Sequence, residues 1–147
     1  MEENCAQMSQ VLDELIEAYR NTDYRCGVGA HGFTLRIGVR SEPLASLYAS
    51  TGCASAVFIA AYNPFSQTQS DAANQAAHAR LWADLHALGR PVFDGAGADP
   101  AGKWPVEPSY LVLGVDLDAA KTLGTRYQQN AVVWMGEDAV PVLVLLR

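Results

Sequence analysis

Three short segments of this sequence carry hydrogen-bonding side chains where apolar runs end. They are residues 61–64 (Ala-Tyr-Asn-Pro), residues 102–109, which contain Glu107 between two prolines, and residues 127–131 (Tyr-Gln-Gln-Asn-Ala). Turns at the ends of strands and helices are common locations for binding sites. The sequence therefore predicts a candidate polar site built from uncharged hydrogen-bonding groups and one carboxylate.

Glu107 is the candidate for proton transfer. It lies between Pro105 and Pro108 and follows Trp104 closely. A rigid apolar setting can raise a carboxyl pKa towards the range useful for a general acid or base. The alternative is structural: Glu107 accepts hydrogen bonds from backbone amides and ties its loop to the domain, with Trp104 as a packing anchor. Spacing assigns no second carboxylate or histidine to Glu107, and the structural interpretation is favoured.

The amide and hydroxyl side chains near these segments are candidates for ligand binding. With Trp104 and Glu107, the candidate set is Asn63, Ser66, Asn74, Trp104, Glu107, Gln128 and Asn130. An amide suits a polar ligand because it offers a donor and an acceptor on one group. It equally suits turns and helix ends, as at Asn63 before Pro64 and at Asn130 after a helix. Both interpretations stay open for each amide.

No metal ion or cofactor is expected. Residues 27–32 match Gly-x-Gly-x-x-Gly, but they follow a predicted helix and precede a predicted strand, the reverse of the dinucleotide-binding order. His78 and His86 are two helical turns, roughly 12 Å, apart and cannot share one metal ion. Cys26 and His31 could in principle form a nucleophile and its base, but no third group orients them.

Charge and composition argue against nucleic-acid and membrane partners. The net charge is −6, and the ten basic residues, eight Arg and two Lys, form no cluster. The first residues are acidic and the apolar runs are short, so neither export nor membrane insertion is expected. Cys5, Cys26 and Cys53 are odd in number and widely spaced, which indicates reduced thiols and a cytoplasmic location.

The first 53 residues are predicted to form an extension to the core. Apolar spacing indicates a helix from residue 4 to about residue 19, with Asn4 and Gln7 at its start. Residues 21–32 are expected to be a loop, and residues 33–40 alternate like a strand. A short helix should begin at Ser41 and end at Gly52.

Residues 54–147 are predicted to form the core of a single domain that spans residues 1–147. The predicted elements are a strand at 54–62, a helix at 70–88, strands at 91–93 and 109–115, a helix at 116–127, and a hairpin of residues 131–135 and 140–146. The stripe of the long helix consists of Ala73, Ala77, Leu81, Leu85 and Leu88. A Gly- and Pro-rich connection should fill residues 95–108.

This order is β-α-β-β-α-β-β. It predicts an α+β fold, a ferredoxin-like split β-α-β sandwich with helices on one face of a mixed sheet, an added C-terminal strand and an N-terminal helix and strand extension.

From residue 54 onwards the chain resembles the bacterial family catalogued as domain of unknown function 3293. The resemblance rests on the segment at 61–64, Asn74, the Gly95-Ala96-Gly97 segment, residues 104–109 and residues 127–131. Family members carry Phe-Gly-Gln-Asn-Ala at the last of these, where this chain has Gln128 in place of glycine. The resemblance implies a bacterial origin and a common fold, and it implies no activity.

Three functions are compatible with these features. The leading hypothesis is a small cytosolic bacterial module, monomer or homodimer, that binds a small polar ligand or a protein partner without catalysis. The second is a hydrolase or transferase in which Glu107 is the general acid or base and Asn63 and Gln128 orient the substrate. The third is an oligomeric interaction protein that uses a sheet face or the edge of the terminal hairpin.

Overall fold

A computed structural model describes residues 11–27 and 32–147 of the chain. In these residues the fold is α+β, with four α-helices and one seven-stranded sheet. The elements are α1 (Asp13–Arg20), β1 (Asp23–Cys26), β2 (Phe33–Leu35), α2 (Glu42–Thr51), β3 (Ala56–Ile59), α3 (Asp71–Ala87), β4 (Val92–Ala98), β5 (Glu107–Leu113), α4 (Leu117–Arg126), β6 (Ala131–Met135) and β7 (Pro141–Leu145). A 3₁₀ turn, Pro64–Ser66, lies between β3 and α3.

The strand order is β2-β1-β4-β5-β3-β6-β7, and every neighbouring pair is antiparallel. The expectation of a mixed sheet was therefore wrong. Strands β3 and β4, which α3 connects, do run parallel to each other, but β5 lies between them and pairs with both in the opposite direction. The added C-terminal strand, β7, pairs with β6 as the predicted hairpin.

Helices cover both faces of the sheet. Buried residues of α3 and α4 share one core cluster with Val57 and Val112, whereas Leu44 and Tyr48 of α2 share the other cluster with Phe58. Side chains alternate along a strand, so neighbouring residues of β3 contribute to opposite cores. The two long core helices therefore lie on one face, and the N-terminal extension supplies the cover for the other face.

Helix α3 follows the signals in its sequence closely. The Ser70 side chain accepts a hydrogen bond from Ala73 N at 3.1 Å, which caps the start of the helix. Gly89 follows the end of the helix in a left-handed conformation with φ of 71°. Leu81 and Leu85 are fully buried, but Leu88 was wrongly included in the buried stripe, since it is 47% exposed. None of the described helices is long and apolar enough to cross a membrane.

Side chains also cap the starts of α2 and α4. Ser41 accepts a hydrogen bond from Leu44 N at 3.2 Å, and Gly52 ends α2 with φ of 75°. Asp116 accepts one from Ala119 N at 2.8 Å at the start of α4. These caps satisfy amides that have no partner inside the helix, and they explain why α2 and α4 lie where the sequence predicted.

The N-terminal extension differs from its prediction. Residues 23–26, expected to be loop, form β1, in which Tyr24 and Cys26 are buried and Arg25 is exposed. Four alternating residues are too short a pattern to distinguish from loop, and β1 exists because it pairs with β4. Strand β2 is only three residues long, because the chain turns at residues 37–39, where Gly38 has φ of 85°.

Helix α1 is shorter than expected. It begins at Asp13, after an extended Leu12 with ψ of 146°, and no side chain caps it. The predicted starting residues Asn4 and Gln7 lie outside the described residues. The glycine motif at residues 27–32 is also mostly outside them.

The predicted connection at residues 95–108 is partly strand. Strand β4 continues to Ala98 and β5 begins at Glu107, so only residues 99–106 connect them. The glycines were misleading because here they permit close packing. A Cβ at Gly95 would come within 2.8 Å of the Phe58 ring and of the Arg25 carbonyl oxygen.

Candidate functional site

A cleft of about 600 Å³ opens on the face of the sheet that α1 and α2 share. The sheet forms its floor, α1 forms one wall, and residues 99–106 and the segment after β3 form the others. Five of the seven sequence-based candidates line it: Asn63, Ser66, Asn74, Trp104 and Glu107. We call it the Glu107 cleft. Gln128 and Asn130 do not line it.

Glu107 lies in a row of three residues across neighbouring strands. Tyr24 of β1 is the register partner of Gly97 in β4, and Gly97 is the register partner of Glu107 in β5. Because Gly97 has no side chain, the row has a gap between the tyrosine and the carboxylate. A Cβ added at Gly97 would have only Thr22 Cγ2 near it, at 3.8 Å. The gap is part of the cleft and gives access to the Glu107 carboxyl group.

The Glu107 carboxyl group has a raised pKa and is partly protonated near neutral pH. Burial raises its pKa from an ordinary value near 4.5 to about 7. No hydrogen bond from a described residue reaches its oxygens, although Glu107 is near enough to contribute to the raised pKa of Tyr24. The structural interpretation of Glu107 was therefore wrong, since no described backbone amide donates to its carboxylate, and the Ser109 hydroxyl donates to its backbone carbonyl oxygen instead.

Asp99 performs the anchoring role that was expected of Glu107. Its two carboxylate oxygens accept hydrogen bonds from Ala101 N at 3.0 Å and Lys103 N at 2.8 Å. These bonds close the turn that starts the 99–106 connection. Trp104 is not a packing anchor either, because it is 55% exposed at the rim of the cleft. Its indole is therefore available to a ligand.

Asn74 holds the wall formed by the segment after β3. Its Oδ1 accepts hydrogen bonds from Asn63 N and from Gln69 Nε2, each at 2.8 Å, and its Nδ2 donates to Asn63 Oδ1 at 2.9 Å. Asn63 Oδ1 also accepts from Gln69 N at 3.2 Å. Asn74 thus makes three hydrogen bonds within the wall, two through Oδ1 and one through Nδ2. Asn63 Nδ2 donates to no described group and can reach a ligand in the cleft.

This wall has an unusual backbone. Asn63, Phe65 and Ser66 have φ between 46° and 60°, in the left-handed region. Such a conformation is unfavourable for a bulky residue such as Phe65 and persists where neighbouring contacts impose it. Here Phe65 N donates to the Gln128 carbonyl oxygen at 2.6 Å. The strained segment is tied to the end of α4 as well as to Asn74.

Gln128 faces away from the Glu107 cleft. It has φ of 55°, which explains the glycine that the resembled family carries there, and it lines a separate groove of about 460 Å³ between α3 and α4. In that groove Asp84 already contacts Arg126 and Tyr127. Gln129 lines the cleft instead, and its Nε2 donates to the Tyr62 carbonyl oxygen at 3.2 Å.

Asn130 is a buried structural residue. Its Nδ2 donates to Ser66 Oγ at 2.9 Å, and its Oδ1 accepts from an Arg147 guanidinium nitrogen at 3.1 Å. Ser66 Oγ is also 3.1 Å from the Tyr19 hydroxyl oxygen, which connects the wall to α1. Asn130 therefore supports the cleft from behind, by positioning Ser66.

The sequence did not reveal the aromatic lining of the cleft. The rings that line it are those of Tyr19, Tyr24, Phe58, Tyr62 and Trp104. Two of them, Tyr19 and Tyr24, belong to the N-terminal extension, in which the residues of β1 were predicted to be loop. The signal that could have found β1 is the alternation of Tyr24 and Cys26 with charged neighbours, opposite two glycines spaced by two.

The alternative nucleophile is not supported by its environment. Cys26 is buried, and burial raises the pKa of its thiol to about 12, which favours the unreactive protonated form. His31, its proposed base, lies outside the described residues. Among the described residues no three His, Cys, Asp or Glu side chains come together in a way that could hold a metal ion.

The hydrogen bonds of Asn74 predict a measurable contribution to stability. Asn74→Ala removes the two hydrogen bonds that Asn74 makes with Asn63. It should lower the free energy of unfolding by about 1–3 kcal/mol. The neighbouring Gln75 is exposed, so Gln75→Ala is the matched control and should change stability by less than about 0.5 kcal/mol. Denaturant titration measures both. Equal effects of the two substitutions would contradict the role given to Asn74.

Fold and site together define an α+β domain with an antiparallel sheet, helices on both faces and an aromatic cleft around one carboxyl group. The chain belongs to the family described as "Protein of unknown function (DUF3293)", whose sequence profile matches residues 59–132, half of the chain. No curated protein and no solved structure matches the chain. The matched region contains Glu107 and Asn63, whereas Tyr19 of the α1 wall and Tyr24 of the sheet precede it.

Proposed function

We propose that this protein binds a small polar ligand in the Glu107 cleft. The observation that carries the proposal is the Glu107 carboxyl group, which is partly buried, opens into the cleft and has no hydrogen-bonding partner among the described residues. A buried polar group without a partner costs free energy, and folded proteins contain few of them. A ligand that bonds to this carboxyl group would offset that cost.

The size and lining of the cleft support a small molecule as the ligand. Small-molecule sites are mostly apolar clefts of about 300–1,000 Å³ with a few polar groups that fix orientation. The Glu107 cleft has a volume of about 600 Å³, and aromatic rings contribute much of its lining. Glu107 and Asn63 Nδ2 would orient the ligand, while Asn74 and Ser66 hold the wall and Trp104 covers the rim.

Filling the gap at Gly97 tests this proposal. Gly97→Leu should place a side chain between Tyr24 and Glu107 and abolish ligand binding, because a Cβ at Gly97 has room and points into the cleft. Stability should fall by less than about 1 kcal/mol, since glycine is itself unfavourable in a strand. Ala96→Leu is the matched control, because Ala96 is the adjacent residue of β4 and its side chain points to the opposite face.

The measurement is saturation-transfer NMR on a library of small polar compounds. We expect compounds that bind the native protein and the Ala96→Leu variant but not the Gly97→Leu variant. Compounds that bind all three proteins equally would place binding outside the cleft. A library with no binder at millimolar concentration would also count against the proposal.

Catalysis is the second candidate function, and the raised pKa of Glu107 favours it. A carboxyl group with a pKa of about 7 can both donate and accept a proton at neutral pH, as a hydrolase or transferase requires. Asn63 could still orient a substrate, whereas Gln128 lies in the other groove and drops out of the proposed mechanism. The cleft ligand itself distinguishes the two functions: a ligand recovered unchanged after prolonged incubation favours simple binding.

The proposed module is a cytosolic bacterial protein with a ferredoxin-like core. The order β6-β3-β5-β4, with α3 and α4 on one face, supports the ferredoxin-like assignment because a split β-α-β pair places its strands in this arrangement. The thiols of Cys26 and Cys53 are free, which supports a reducing compartment. The resemblance to a bacterial family supports a bacterial origin.

A further inference from the structure

Among the described residues, the charged side chains that line the Glu107 cleft are all acidic. Its lining includes the carboxylates of Asp71, Asp99 and Glu107, and no Lys, Arg or His among the described residues. Residues 1–10 and 28–31, which are not described, contain no Lys or Arg in their sequence. An anionic ligand would meet repulsion from these carboxylates, and no described residue of the lining carries a cation to offset it.

The three carboxylates are not equivalent. Asp99 is occupied by the backbone amides of its own turn, and Asp71 is exposed in the first turn of α3. Glu107, by contrast, is partly buried in the cleft and has no described partner. A ligand cation would therefore pair with Glu107, and the other two carboxylates would add a favourable field near the entrance.

The aromatic rings add a second attraction for a positive charge. Tyr24 and Phe58 contact each other edge to face, with centroids 5.2 Å apart, and both rings line the cleft. The Trp104 indole is half-exposed at the rim. The face of an aromatic ring attracts ammonium groups, tryptophan most strongly, and also packs against apolar carbon. Carboxylate and rings together suit a molecule with a cationic end and an apolar body.

We propose that the ligand of the Glu107 cleft is a small organic cation, an amine or a quaternary ammonium compound with an apolar or aromatic body. Its charged end would lie in the gap between Tyr24 and Glu107, and its body would lie against Trp104. This inference rests on the proposed function, and it specifies the ligand class for the same cleft.

The titration of Glu107 gives the proposal a directional consequence. The other titratable groups that line the cleft are Tyr24 from β1, Tyr19 from α1, Tyr62 after β3, Asp99 from the connection and Asp71 from α3, and none of them is basic. A cation binds the ionised carboxylate, so its affinity should increase by about tenfold between about pH 6 and about pH 8, the range over which a group with a pKa of about 7 ionises. A neutral ligand that accepts a hydrogen bond from the protonated carboxyl group should instead bind less tightly as the pH rises.

Three probes with one indole skeleton separate the charge types: tryptamine is cationic, tryptophol is neutral and indole-3-acetate is anionic. We expect tryptamine to bind the full-length protein most tightly by calorimetry and to shift the Trp104 indole NMR signal. Its affinity should rise with pH as above. Glu107→Gln should weaken tryptamine binding by roughly tenfold or more, because a charge-assisted contact is lost, and should change tryptophol binding much less.

The matched control is Glu137→Gln, the same substitution at an exposed residue in the turn between β6 and β7, which should leave tryptamine binding unchanged. Tighter binding of tryptophol or indole-3-acetate in the cleft would overturn the cation proposal and leave the proposed function standing. Tryptamine binding that is insensitive to both Glu107→Gln and pH would also overturn it. Absence of binding by all three probes at millimolar concentration would overturn the cation proposal, whereas the proposed function is decided by the library of small polar compounds.

Discussion

Leu81→Ala is expected to lower the free energy of unfolding by about 2–5 kcal/mol, because it leaves a cavity at the centre of the core. Leu81 is fully buried in α3 and belongs to the same cluster as Val57 and Val112 of the sheet and Leu123 of α4. The cavity would therefore lie where both long helices meet the sheet. The neighbouring side chains can fill the cavity only partly. The protein therefore loses both the free energy of burying the leucine side chain and its van der Waals contacts.

Leu88→Ala is the matched control for this substitution. The same atoms are removed from a residue that is 47% exposed beyond the end of α3, so the loss should be below about 1 kcal/mol. Denaturant titration with a common slope for all three proteins measures both values. A Leu81→Ala loss of under about 1 kcal/mol would mean that α3 packs through a different face.

Glu107→Gln is expected to stabilise the protein above neutral pH. The folded pKa of Glu107 is about 7, above the unfolded value near 4.5, so the native state keeps the proton at pH values where the unfolded chain has lost it. Native stability should therefore decrease as pH rises from about 4.5 to about 7 and should then level off. At about 1.36 kcal/mol per pKa unit, the neutral glutamine variant should be more stable by about 3 kcal/mol at pH 8.

The two proteins should be nearly equal in stability near pH 4, where Glu107 is protonated in both states. Denaturant titrations across the pH range measure the difference, with Glu137→Gln as a control for loss of one acidic charge. A glutamine variant that is less stable than the native protein at neutral pH would restore the anchoring role that the sequence favoured for Glu107.

The sequence was most informative where an element carries its own start and stop signals. Ser70 and Gly89 bracket α3, and Asp116 starts α4, as the structure bears out. These signals act through contacts within a few residues, so they can be recognised in a linear sequence. The antiparallel order of the whole sheet depends instead on which strands become neighbours, and local patterns do not specify it.

The sequence was least informative where a distant partner determines local structure. Residues 95–98 look like a turn because two of them are glycine, yet they are strand because β1 pairs with them and the Phe58 ring packs against them. The same cause hid part of the floor of the cleft, since β1 has no strong pattern of its own. Glu107 consequently appeared to lie in a loop near backbone donors.

The cleft residues of the C-terminal segment illustrate a second limit. Gln128 was predicted to bind the ligand and Gln129 was overlooked. Which of the two side chains lines the cleft depends on the direction in which the chain turns after α4. The left-handed backbone at Gln128 sends its side chain to the groove between α3 and α4 and leaves Gln129 in the cleft. A glycine in a sequence indicates that a left-handed backbone conformation is possible, but this chain has glutamine at position 128.

The most direct test of the account is the pKa of Glu107 itself in the ligand-free protein. Carbon-13 NMR of the side-chain carboxyl groups follows each glutamate during a pH titration, and the Glu107→Gln variant identifies the signal that disappears. The account predicts a midpoint of about 7 for Glu107, well above the ordinary value near 4.5. A midpoint at or below 4.5 would show that Glu107 is already solvated or hydrogen-bonded, and would contradict its place at the centre of a ligand-binding cleft.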